Sequence, residues 1–242
     1  MTTLRSALFL AGALVLTSIY GVLVPASRIA GSRPPFVLAR SYARVLLRWI
    51  EASLGIRYEV SGWENVPPGP VVLMSKHQSA WETIFLEAKF PDQCWIVKRE
   101  LLWLPFVGWG LWAVRCIAID RSSGIAAREQ VVQQGARRLA EGLWVTIFPE
   151  GTRVAPGKRG RYGIGGALLA TRTGAPILPI AHNAGELWPR YAFRKRAGCV
   201  KVVIGPLIRT EGRDAIAVNN EVQEWIEAQM LVISSPGRHA GA

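Results

Sequence analysis

Cysteine is scarce in this 242-residue chain, with only Cys94, Cys116 and Cys199. The number is odd, each residue lies inside an apolar run, and no spacing suits a metal. They therefore exclude a disulfide framework and read as buried free thiols in a reducing compartment. Histidine is equally scarce, again three residues, and a metal site has too few ligands to support it. Gly-x-Ser-x-Gly does not occur, which counts against an α/β-hydrolase serine esterase. The cluster Gly163-x-Gly165-Gly166 departs from the spacing of a dinucleotide site and lacks an acidic residue at the expected distance. No internal repeat and no low-complexity linker divides the chain.

Negative charge is also in short supply. Seventeen Asp and Glu face twenty-nine Lys and Arg, a net +12, which favours an anionic partner such as phospholipid, phosphate ester or nucleic acid. A mean hydropathy of +0.20 and ten tryptophans favour lipid, so nucleic acid is not expected as a partner.

What the chain has in abundance is apolar sequence near its start. Ser6 to Val24 holds nineteen residues without a charge, which as a helix reaches roughly 28 Å, enough to cross a bilayer core or to dip in and return. A cleaved signal has a shorter apolar core of about 7 to 15 residues, so retention is expected. In the next segment, Phe36 to Leu54, Arg40, Arg44 and Arg48 recur every four residues beside Phe36, Val37, Tyr42, Val45, Leu46, Trp49 and Ile50. That pattern predicts a helix in a headgroup layer, apolar side down and arginines towards phosphates. Residues 1–55 are thus expected to form a membrane-anchoring helix pair, and 56–242 the globular domain. If the first helix spans, the arginine excess after it is expected to put that domain on the cytoplasmic side of the membrane.

Past Gly55 the pattern alternates as an α/β fold requires. Strands are predicted at Tyr58–Ser61, Val71–Met74, Trp95–Lys98, Cys116–Ile119, Trp144–Phe148, Ile177–Ala181 and Val200–Ile204. Helices are predicted over Ile125–Glu141, Gly166–Thr173 and Asp214–Leu231, each of the first two stopped by a glycine. The tail from Ser234 reads as frayed.

Two segments carry chemistry. In Lys76-His77-Gln78-Ser79-Ala80-Trp81-Glu82, a histidine precedes a carboxylate by five residues. On one helix such positions are about 140° apart and cannot easily meet. They meet if Ser79 is the N-cap of a capping box in which Glu82 reaches back, leaving His77 outside the helix. Glu82 then fixes the imidazole tautomer, and the other ring nitrogen can deprotonate an external hydroxyl. N–H groups at that helix start are expected to steady an oxyanion. His182 lacks a local acidic partner, and His239 lies in the tail.

In Phe148-Pro149-Glu150-Gly151-Thr152-Arg153, Pro149 ends an apolar strand. Gly151 allows a tight turn that aims backbone N–H groups, the Thr152 hydroxyl and the Arg153 fork at one small anion. Glu150 is expected to orient Arg153 or a substrate hydroxyl. Lys98 and Arg121 end two further strands, and in a parallel sheet all of these gather at one edge around one phosphate.

The blocks His77 to Glu82, Lys98-Arg99-Glu100-Leu101, Ala118-Ile119-Asp120-Arg121, Glu150 to Arg153 and Pro176-Ile177-Leu178-Pro179-Ile180 resemble, in order and spacing, those of the glycerolipid acyltransferases that act on 1-acylglycerol-3-phosphate. Glu82 stands where that family usually has Asp. The resemblance implies a mixed, mostly parallel sheet flanked by helices, an N-terminal anchoring helix pair, and acyl transfer from a thioester to a lysolipid at a membrane. It implies His77 as the base, with Arg121, Arg153 and Lys98 on the acceptor phosphate. Acyl-CoA or acyl carrier protein would be the co-substrate, with no further cofactor. The Leu102 to Trp112 segment is expected to line an acyl groove or to sit in the bilayer, with core packing as the alternative.

Overall fold

The computed structural model describes residues 2–234; the side chain of Arg121 and the tail 235–242 lie outside the described residues. Seven strands form one sheet: β1 (Ile56–Ser61), β2 (Val72–Ser75), β3 (Gln93–Lys98), β4 (Ile117–Ile119), β5 (Trp144–Ile147), β6 (Ile177–His182) and β7 (Gly198–Ile204). Their order is β1-β7-β6-β2-β5-β3-β4. Neighbours are parallel except at β6–β7, so β1 and β7 run against the other five.

The helices are α1 (Thr2–Ala26), α2 (Pro34–Leu54), α3 (Trp81–Lys89), α4 (Val107–Ala113), α5 (Gly124–Ala140), α6 (Gly165–Thr173) and α7 (Ala215–Ile233). The alternation of β2 shows how they cover the sheet. Val71 and Leu73 join a cluster with Leu46, Ile50, Trp81 and Phe85 from α2 and α3. Val72 and Met74 join Val131, Leu169, Val222 and Ile226 from α5, α6 and α7. Successive side chains point to opposite faces, and both faces are covered, which is why the central strands read as continuous apolar runs.

α2 corrects one expectation. Phe36, Ala43, Leu46, Leu47, Ile50 and Leu54 are buried, so the apolar side expected to face lipid faces the sheet instead. The arginine stripe is also partly engaged: Arg40 pairs with Asp92, and Arg44 Nε donates to Ala88 O at 3.2 Å. The helix is amphipathic because it covers a core.

Lipid-like surface lies on α1. Leu4, Leu8, Leu14, Val15, Ile19 and Val22 are exposed. Within Thr2–Ala30 an 18-residue stretch has a mean hydropathy of 2.3, and the helix is long and apolar enough to cross a membrane by length and composition. One side of α1 nonetheless packs closely. A Cβ on Gly12 would lie 2.4 Å from the Trp49 indole, and one on Gly21 would lie 2.4 Å from Phe106 Cβ, so glycine is what lets α1 approach α2 and the start of α4.

Candidate active site

β2 and β5 are parallel neighbours at the centre of the sheet, with Met74 opposite Ile147. The loops leaving them run side by side, and the β5 loop grips His77 by its main chain. His77 N–H donates to Glu150 Oε2 at 2.7 Å, and Val154 N–H donates to His77 O at 2.8 Å.

The His77 side chain meets Glu82 as the spacing predicts. Nδ1 lies 2.8 Å from Glu82 Oε1, which also accepts the N–H groups of Gln78 at 3.1 Å and Ser79 at 2.9 Å. A buried carboxylate in this position takes the Nδ1 hydrogen and leaves Nε2 unprotonated, a tautomer inferred from the hydrogen-bond network. Burial works against the Glu82 charge, but His182, His77 and the Ser79 N–H outweigh it and hold the carboxyl below its ordinary value. The imidazole stacks on Phe148 with centroids 3.9 Å apart.

Two details differ from expectation. The helix starts one residue later, with Ala80 at the cap position; Ser79 Oγ instead accepts Trp81 N–H at 3.2 Å. The N–H groups of Gln78, Ser79 and Trp81 are thereby engaged within the loop and are not aimed at an oxyanion. His182 does have an acidic partner, supplied by distant sequence: its Nε2 lies 4.0 Å from Glu82 Oε2. That nitrogen donates to Lys76 O at 2.8 Å, and Nδ1 accepts Ala184 N–H at 3.3 Å. Burial lowers the His182 pKa, with the Glu82 charge and the Lys76 carbonyl pulling against it, and the ring braces the site from behind.

Glu150 is the main correction. Its side chain turns inward, away from Arg153, with Oε1 2.7 Å from Lys76 Nζ. Lys76, 1% exposed, also lies 2.7 Å from Glu227 Oε1 on α7, which accepts the Tyr162 hydroxyl at 3.0 Å. Burial pushes the Glu150 carboxyl up to about 7, with Lys76 and the His77 N–H pulling against it. This buried network positions the histidine backbone. Sequence inspection missed Lys76 and Glu227 because they are 151 residues apart.

On the cationic side, His77, Lys98 and Arg153 border one cavity of about 440 Å³. Arg153 is partly buried and Thr152 exposed. Gly151 has φ +67°, the left-handed turn its sequence predicts, although its N–H closes that turn on Phe148 O at 3.0 Å. Lys98 Nζ lies 3.1 Å from Glu100 Oε1. The Arg121 backbone begins the turn after β4 on the same sheet edge, and its side chain lies outside the described residues.

Beyond these groups the lining is mainly apolar, with Thr17, Tyr20, Tyr42, Thr83 and Glu87 as its remaining polar members. Ile84 of α3, Trp95 to Val97 of β3, Phe106 to Leu111 around α4, and Gly21 and Val24 of α1 line it. The Leu102 to Trp112 segment divides accordingly. Phe106, Val107, Gly110 and Leu111 face the cavity, whereas Trp103, Trp109 and Trp112 are 81%, 47% and 58% exposed. A duct with an unprotonated imidazole nitrogen and two cations at one end and hydrocarbon walls beyond suits an acidic headgroup joined to a long chain.

Comparison with known proteins agrees with this chemistry. A family model described as acyltransferase matches residues 57–183. The chain is 44% identical over 200 residues to a Pseudomonas aeruginosa protein named 1-acyl-sn-glycerol-3-phosphate acyltransferase, covering 81% of this chain and 78% of that one. It is 31% identical to human 1-acyl-sn-glycerol-3-phosphate acyltransferase alpha, covering 82% and 72%. The crystal structure of the 1-acyl-sn-glycerophosphate acyltransferase of Thermotoga maritima superposes with a TM-score of 0.78 at 20% identity, covering 95% and 94% of the two chains, and shares the fold. By its sequence relatives, and in keeping with a cavity bordered by the Glu82-paired His77, the chain belongs to the acyltransferase family.

Proposed function

We propose that the chain transfers a fatty acyl group from the thioester of CoA or acyl carrier protein to the 2-hydroxyl of 1-acylglycerol-3-phosphate, forming phosphatidate. The observation that carries this reading is the placement of His77, whose ring joins Lys98 and Arg153 on one cavity with an apolar interior. His77 Nε2 removes the hydroxyl proton as the oxygen attacks the thioester carbonyl. The tetrahedral intermediate collapses, the carbon–sulfur bond breaks, and the thiolate leaves. Glu82 holds the tautomer and offsets the imidazolium charge. Arg153 and Lys98, joined by Arg121 from the same edge, would hold the phosphate. The thioester is the activated co-substrate, and the chemistry calls for no further cofactor.

The test is acceptor affinity. Arg153→Ala is expected to raise the KM for lysophosphatidate about tenfold or more, in line with the loss of a charge-assisted pair, while thermal stability stays unchanged. An unchanged KM would instead indicate an acceptor without a phosphate monoester, such as a lyso-ornithine lipid.

We also propose that the protein lies on the cytoplasmic leaflet with α1 and the tryptophans around α4 immersed. The bare strip of α1 and the exposed Trp103 support this placement. Trp103→Ala is expected to weaken partitioning of the purified protein into anionic vesicles by roughly tenfold, the effect of one large side chain withheld from the apolar phase. Partitioning equal to wild type would place that loop outside the membrane.

A further inference from the structure

Glu87 lies on the same face of α3 as Thr83, one turn further on, and is the only carboxylate among the described residues that lines the duct. Its Oε2 accepts the Trp95 indole N–H at 2.9 Å. Among the described residues no hydrogen bond reaches its other oxygen. The side chain retains some accessible surface, and the duct is the space it lines.

The neighbours have little left to offer it. Arg40 of α2 and Asp92, before β3, pair with each other. The single Thr17 hydrogen goes to Ala13 O at 2.7 Å, so the Tyr42 hydroxyl, 2.8 Å away, donates to Thr17. Burial pushes the Glu87 carboxyl up to about 7; Trp95 and Arg40 pull it down and Asp92 pushes it further up. A plain alkyl chain beside it seals a polar oxygen from water without a partner.

We propose that Glu87 makes the duct select acyl chains bearing a hydroxyl part-way along, with that hydroxyl bonding to the open carboxyl oxygen. The proposal rests on the acyl-transfer reading above. A chain of rings connects His77 to Glu87: Phe148 stacks on His77 at 3.9 Å, and Trp95, which donates to Glu87, lies 5.7 Å from Phe148. Glu87 is thus some carbons removed from the thioester, and position along the chain matters.

The pH dependence has a definite sign. A hydroxyl can accept from the neutral acid or donate to the carboxylate, whereas a plain chain requires Glu87 to be neutral. Plain chains therefore lose efficiency as pH rises through about 7, and the preference for hydroxylated chains grows.

The full-length enzyme should be assayed with saturating lysophosphatidate and CoA thioesters of stearate and of its hydroxylated positional isomers, near pH 6 and pH 8. At least one isomer is expected to exceed stearate about tenfold in kcat/KM near pH 8, and by less near pH 6. Glu87→Leu should improve stearate and bring the ratio close to one. Glu87→Gln, nearly isosteric, should keep a preference and lose its pH dependence, which provides a readout if the leucine variant folds poorly. A ratio within twofold of one for every isomer in the wild type, or a ratio unmoved in a normally melting Glu87→Leu enzyme, overturns the proposal. Wild-type enzyme inactive with all donors, the acyl carrier protein thioesters included, would overturn the acyl-transfer reading itself.

Discussion

Replacing His77 with alanine is expected to lower acyl transfer to lysophosphatidate by about a thousandfold, within the usual range for loss of a positioned general base. Among the described residues no other imidazole can take over, because the His182 ring nitrogens are committed to Lys76 O and Ala184 N–H and its side chain is buried. The effect should fall on kcat more than on the lysophosphatidate KM, since Lys98 and Arg153 remain. The thermal midpoint should hardly move, because the Glu82 carboxylate keeps the Gln78 and Ser79 N–H groups. Initial rates on membranes with matched protein levels would decide the matter. A His77→Ala enzyme retaining a tenth of wild-type activity above background would remove His77 from the role of base.

The largest effect on stability is expected from Lys76→Met. The change leaves Glu150 and Glu227 facing each other with no cation between them. Breaking a buried pair by removing one partner typically costs about 3–5 kcal/mol, a fall in melting temperature on the order of 10 °C for a chain of this length. The loss should depend on pH. The Glu150 carboxyl already sits near 7 when folded, against an ordinary 4.5, and removal of Lys76 raises it further. A group raised in the folded state favours folding below its unfolded value and loses that contribution as pH rises through the folded one. Denaturation of the variant should therefore show a large deficit near pH 8.5 that shrinks towards pH 5.5. A deficit below about 1 kcal/mol, equal at both pH values, would mean that solvent reaches the network.

The seven strands were legible because each central run is apolar on both faces, the pattern a doubly covered sheet imposes. The meeting of His77 with Glu82 was legible too, because it is local and depends only on where a helix starts. Readings that turned on distant contacts fared differently. The Arg40, Arg44 and Arg48 stripe looked like a lipid-facing helix, since periodicity records an apolar face and not what covers it. Glu150 looked like part of the phosphate turn, and nothing nearby in sequence announced that Lys76 and Glu227 would draw it inward. α4 went unread because seven residues with two glycines carry little periodicity. The antiparallel entry of β7 was also invisible, since strand composition does not encode direction.

His77 is gripped by the main chain from both sides through the loop that bears Arg153. On the proposed reading, the base and the phosphate-facing cation are consequently two points of a caliper whose jaws are loops leaving adjacent strands, about 4.8 Å apart. A caliper of fixed opening measures its workpiece. On the proposed reading, an acceptor is acylated at the hydroxyl lying one such opening from its phosphate. Regiochemistry would then be written in the backbone, and lengthening either loop should change which hydroxyl is acylated before it abolishes transfer.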